Sequence, residues 1–122
     1  MVRFLITCWP FVGHLYPQMS VAHVLRCRAH EVAFYTHEST RAVVAGEGFT
    51  LFPFVHVDGR RYERIHALEA QVPVTQPGRQ TLSVAMQAYR DMLADSIPEQ
   101  VSDLLPILAN WRPDVLITDL AM

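Results

Sequence analysis

Apolar and polar positions along this chain follow two alternating rhythms. Short apolar runs at Arg3–Thr7, Glu31–Thr36, Phe49–Phe54 and Asp114–Thr118 are too brief for helices and suit strands buried on both faces. Between them the period lengthens. From Tyr16 to Arg28, Met19, Ala22, Val24 and Leu25 form an imperfect helical stripe, with Pro17 expected in the first turn. Ser39 and Thr40 are placed to cap a short helix running to Glu47, which Gly46 and Gly48 would stop. Val55–Gly78 lacks clear periodicity and holds Gly59, Pro73, Pro77 and Gly78, so a long loop is expected there, with one helical turn around Glu63–Ala70. From Thr81 to Leu108, apolar residues Leu82, Ala85, Met86, Tyr89, Met92 and Leu93 return at three- and four-residue steps. Pro98 and Pro106 are expected to kink or divide that stretch, and Trp111-Arg112-Pro113 turns the chain into the last strand.

Strand–helix alternation predicts an α/β fold, a Rossmann-like, doubly wound parallel sheet with right-handed crossovers. The usual order for such a half is 3-2-1-4, and ligands bind where the winding reverses, between strands 1 and 4. On that order His14, just after the first strand, and Asp119, just after the fourth, face one crevice although far apart in sequence. An apolar fourth strand with only Leu120-Ala121-Met122 behind it would be a poorly protected edge. The expectation is therefore a domain cut after its fourth strand or completed by another chain.

Composition narrows the function. The chain has 122 residues, 51% of them hydrophobic, and a formal charge of −2, which suits a single globular domain. All ten cationic residues are arginine and none forms a basic stripe, so nucleic acid is not an expected partner. Cys8 and Cys27 have no metal or redox spacing, and a reducing cytoplasm is the simplest setting. Pro10, Gly13 and His14 interrupt the apolar N-terminal stretch, and neither a signal peptide nor a membrane helix is expected.

His14 is the leading candidate for chemistry. Gly13 beside it would allow a tight turn and close backbone approach. Asp119 would hold one ring nitrogen and leave the other to take a proton from a hydroxyl. The bland reading of Asp119 is a carboxylate capping a following helix. His23, His30 and His37 recur every seven residues but fall on a helix, its end and a loop, so no metal site is expected. His56 and His66 fall in the long loop, where they could touch a ligand, although solvent exposure is the simpler fate. The first strand–helix turn lacks Gly-x-Gly-x-x-Gly, which weighs against a dinucleotide. Phe11, Leu15, Phe54, Met86, Tyr89 and Met92 are candidates to line an apolar pocket, against the plainer reading that such residues pack a core.

Cys8-Trp9-Pro10-Phe11-Val12-Gly13-His14-Leu15-Tyr16-Pro17, then Val24-Leu25, Arg28-Ala29-His30-Glu31-Val32 and Pro113-Asp114-Val115-Leu116-Ile117-Thr118-Asp119 together carry a resemblance. The chain resembles the N-terminal, acceptor-binding half of GT-B glycosyltransferases, in particular the bacterial enzymes that decorate macrolides, enediynes and other polyketide or peptide antibiotics. That resemblance implies an inverting transferase. His14 would be the general base on an acceptor hydroxyl, and Asp119 the residue that orients it. The co-substrate would be a TDP- or UDP-sugar, with no other cofactor and no metal in this domain. Acceptor contacts would come from Phe11, Gly13, Leu15, Phe54, Met86 and Tyr89.

Two departures from the family pattern stand out. Ala29 replaces the glycine of Arg-Gly-His, at a cost of about 1 kcal/mol if the position needs positive φ. The half that would bind the nucleotide sugar is absent from these residues, so the fragment alone is expected to be inactive and to need a longer parent or a partner chain. The rival readings are a non-catalytic ligand-binding or partner subunit with the same half-fold and, more distantly, a flavodoxin-like domain.

Overall fold

A computed structural model describes residues 1–71 and 79–119. Its elements are β1 (Arg3–Thr7), α1 (Val12–Cys27), β2 (Glu31–Thr36), a 3₁₀ turn (Glu38–Thr40) leading into α2 (Arg41–Gly46), β3 (Thr50–Pro53), α3 (Gly59–Gln71), α4 (Arg79–Leu93), α5 (Ile97–Asn110) and β4 (Val115–Thr118). The sheet order is β3-β2-β1-β4, and every pairing is parallel. This is the order the apolar runs predict.

Helices cover both faces. On one, Leu15, Met19 and Ala22 of α1 and Val44 of α2 pack against Ile6, Val32 and Phe34. On the other, Leu104 and Ile107 of α5 and Trp111 close over Leu5, Ala33 and Tyr35. A third cluster caps the C-terminal ends of the strands, where Ile65 of α3 and Met92 of α4 enclose Trp9 and Val57. Met92 thus belongs to the core. Burial leaves the Cys8 thiol little reason to ionise: it is pushed up to about 12, with Thr36 working the other way and the charge of Asp119 adding to the rise.

Several boundaries differ from expectation. The helix α1 starts at Val12, four residues early, so Gly13 and His14 lie in its first turn and Pro17 lies inside it. Phe11 serves as the N-cap, and its carbonyl takes the His14 and Leu15 N–H groups at 2.9 and 2.8 Å. Gly13 is not in a positive-φ turn, and a Cβ there would meet nothing within 4 Å. The cap of the 3₁₀ turn is His37, whose Nδ1 accepts from Ser39 N at 3.2 Å; Ser39 does not cap. The expected long loop is largely α3, its apolar residues hidden among Arg60, Arg61, Glu63 and Arg64. Residues 72–78, which fall in that expected loop, and 120–122 lie outside the described residues. The next helical stretch divides at Ala94–Ser96, ahead of Pro98; Pro98 falls in the first turn of α5, and Pro106 lies within it without ending it.

Ala29 adopts φ +62° at the end of α1, where His30 N reaches back to Leu25 O at 3.2 Å. The chain therefore makes a left-handed helix stop with a side chain that disfavours it. At the opposite edge β4 is pinned to β1 by Asp114, whose carboxylate takes Arg3 N at 2.8 Å. Val115 and Leu116 of β4 are exposed. No helix among the described residues is long and apolar enough to cross a membrane.

Candidate functional site

The parallel register sets the site. Thr7 of β1 lies beside Thr118 of β4, and Asp119 N continues the ladder onto Thr7 O at 3.1 Å. The carboxylate of Asp119 therefore leaves the sheet edge next to the start of α1. There Nδ1 of His14 meets Asp119 Oδ2. The His14 side chain is 39% exposed and that of Asp119 12% exposed, so the ring is open to a ligand while its anchor is largely shielded. A carboxylate can only accept here, which gives Nδ1 the hydrogen and leaves the lone pair of a neutral ring on Nε2. Fixing the tautomer from behind in this way prepares an imidazole to take a proton.

The other candidates separate into groups. Phe11 lies beside His14, ring centroids 5.8 Å apart. Gly13 precedes it on the exposed first turn of α1. Leu15 is 4% exposed and committed to the core under α1. Phe54 packs edge-on against Trp9 at 5.4 Å and tilted against Tyr35 at 4.9 Å, and with Phe11 it packs against Trp9's cluster. Met86 is 68% exposed and lines an open groove of about 1120 Å³ with Arg64, Ala67, Leu68 and Asp91. Tyr89 lies on the same helix, α4, with its ring partly exposed. At the helical repeat, Arg64, Ala67 and Leu68 turn to one side of α3 while Tyr62 and His66 turn to the other. Met86 therefore belongs to a different face of α3 from the rings described next.

Of those rings, sequence reasoning named Phe11 and His66 as possible ligand contacts and overlooked Tyr62. Tyr62 meets Phe11 edge-on at 4.9 Å, stacks on His66 at 5.8 Å and lies 5.8 Å from His37. A close approach holds His37 in place: a Cβ on Gly59 would come within 2.7 Å of its Nε2. The signal available in the sequence was Tyr62 and His66 one turn apart in a segment read as loop.

It also overlooked Asp103. Its side chain is 1% exposed, yet it accepts from Tyr35 Oη at 2.9 Å, Val55 N at 3.0 Å, His56 N at 2.8 Å and His56 Nδ1 at 2.6 Å. Burial alone would raise the carboxyl, but these donors outweigh it and hold Asp103 below its ordinary range. The phenol of Tyr35 is driven up, by burial first and by the adjoining carboxylate second. One helical turn away, Glu99 receives Arg61, which also holds Asp91 of α4. Of the two carboxylates of α5, Asp103 thus anchors the segment leading into α3 and Glu99 the first turn of that helix.

Among the described residues no three His, Cys, Asp or Glu side chains converge as metal ligands would. No protein-family profile matches the chain. It is 30% identical to the 4′-demethylrebeccamycin synthase of Lentzea aerocolonigenes over 118 residues, 96% of this chain and 27% of that protein. Its fold matches the glycosyltransferase SsfS6 of Streptomyces sp. SF2575, with a TM-score of 0.65 at 21% identity, covering 97% of this chain and 33% of the other. It also matches the spinosyn rhamnosyltransferase SpnG, with a TM-score of 0.67 at 19% identity over 99% and 29%; SpnG complexed with thymidine diphosphate gives 0.65. The fold is thus a Rossmann-like one shared with part of antibiotic glycosyltransferases, and the chain spans about a quarter to a third of the length of the proteins it matches.

Proposed function

We propose that this chain is the acceptor side of an inverting glycosyltransferase acting on a hydroxyl of an apolar natural product. What carries the reading is the contact between His14 Nδ1 and Asp119 Oδ2 at the point where the sheet reverses. Nε2 of His14 takes the proton as the acceptor oxygen attacks the anomeric carbon of the sugar. The bond from that carbon to the diphosphate breaks, the nucleoside diphosphate leaves with the bonding pair, and the configuration inverts. Asp119 orients the ring and stabilises the imidazolium that forms. Base catalysis of this kind contributes roughly 100- to 10,000-fold.

The donor is a TDP- or UDP-sugar. The likeness of its fold to a rhamnosyltransferase solved with thymidine diphosphate supports a TDP-sugar first. The residues that would hold it belong to the remainder of a longer protein or to a partner chain, since the matched proteins are three to four times longer.

The test is transfer from a TDP-sugar with a donor-binding half supplied, covalently or as a second chain. His14→Ala should lower turnover by roughly 100-fold or more with acceptor binding retained. Unchanged turnover refutes the base assignment.

A further inference from the structure

The exposed face of α5 carries no charged side chain. Leu104 and Ile107 seat the helix on the sheet, and its two carboxylates turn to one flank, where Glu99 takes Arg61 and Asp103 is buried. On the other flank Ile97, Val101, Leu105 and Leu108 stand 39% to 60% exposed. At the helical repeat these four fall within about 80° of one another, so they form one stripe along the helix. The helix α4 also exposes apolar residues, Leu82 and Leu93 among them, but it shares its surface with Arg90, whose side chain is 78% exposed. An apolar stripe with no charge to keep it hydrated favours burial against an equally apolar surface. The spacing of the stripe suits its own copy. Positions 97, 101, 105 and 108 read nearly the same from either end, so in an antiparallel pair Ile97 meets Leu108 and Val101 meets Leu105. A two-fold interface needs that property, because every contact in it occurs twice. Antiparallel packing also opposes the two helix dipoles. Two copies would bury on the order of 1,000 Å² in total, the lower limit for a specific interface, which makes a weak dimer.

We propose that the exposed stripe of α5 is a homodimer interface, in which two copies of this chain pair antiparallel about a two-fold axis passing between Val101 and Leu105. The inference is independent of the reading of His14 as a base.

The test is sedimentation equilibrium of this chain between about 10 μM and 1 mM, where the mean mass should climb from one copy toward two. Val101→Lys and Leu105→Glu should each weaken dimerisation by at least about tenfold. Leu82→Glu, at an equally exposed position on α4, should leave it unchanged. Mixed in equal amounts, the two α5 variants should recover association to within about threefold of the parent. The antiparallel register accounts for the rescue: the new ammonium of one copy faces the new carboxylate of the other, beside one unaltered contact between Val101 and Leu105. If either charged variant loses its helical circular dichroism, Leu105→Ala decides instead and should weaken dimerisation by about fivefold. A chain that stays monomeric, association indifferent to the α5 variants, or a mixture no better than either variant alone overturns the proposal. Binding of a monomer to phosphatidylcholine vesicles would assign the stripe to a lipid surface. Protection of Leu105 in a longer, monomeric form of the protein would assign it to the added residues. Either result overturns the proposal as well.

Discussion

Two imidazole–carboxylate pairs lie beyond the C-terminal ends of the strands, and they differ in what surrounds the carboxylate. Asp103 takes four donors from the protein, including both backbone N–H groups of Val55 and His56, and almost no solvent reaches it. Asp119 is shielded as well, but its partner ring sits on the first turn of a helix beside the partly buried ring of Phe11. Equal contact geometry therefore does not mean equal purpose. A carboxylate whose lone pairs are taken by the fold, two backbone N–H groups among them, is a fastener even though the His56 ring it holds is 58% exposed, whereas Asp119 fixes the back of the His14 ring on the first turn of α1.

Removing the carboxylate at each pair tests the contrast. Asp119→Asn should cut transfer by about 100-fold or more, because an amide no longer enforces the Nδ1–H tautomer, while the urea midpoint barely moves. Asp103→Ala should do the reverse. It strands the buried Tyr35 hydroxyl and two part-buried N–H groups and should cost roughly 3 kcal/mol in urea unfolding. The same pair has a pH signature. Since the folded-state pKa of Asp103 is depressed, its stabilisation is fully present above the ordinary carboxylate range and is lost as pH falls through the lower, folded value. Acid unfolding of Asp103→Ala should accordingly depend less on pH than that of the parent. The smallest effect lies away from both pairs. Ala29→Gly relieves a left-handed φ and should stabilise the fold by about 1 kcal/mol, with transfer unaltered. A loss of activity there would mean that the α1 terminus matters to the site.

The sheet order and the meeting of His14 with Asp119 were legible because each strand is a short, nearly unbroken apolar run and parallel topology then leaves few choices. The boundaries were less so. Pro17 read as a helix start because proline favours a first turn, yet α1 begins at Val12 and tolerates it inside. The helix α3 was taken for a loop because the charged residues around Tyr62, Ile65 and Leu68 mask its stripe. Asp103 was invisible for a different reason. Glu99 and Asp103 on a helix look like a solvated face, and only the fold shows that this is the inner side of α5, while Ile97, Val101 and Leu105 face outward. Of the expected pocket residues, Phe11 stayed near the dyad, Leu15 went to the core and Met86 to another groove; one-dimensional periodicity cannot tell which of several apolar clusters a side chain will join.

The pairing of β1 on both sides gives this site a place in time. Its partner on one flank begins 28 residues later in the chain, whereas Asp114, at the start of the other flank, is separated from Arg3 by 111. Contacts so distant in sequence form late, since the chain between them must first be ordered. On a ribosome, β1, β2 and β3 would assemble with a bare flank, and His14 would emerge with no carboxylate behind it. The His14–Asp119 contact would form only when β4 docks, so that a half-made chain could fold most of its sheet and still lack the pairing on which the proposed base assignment rests.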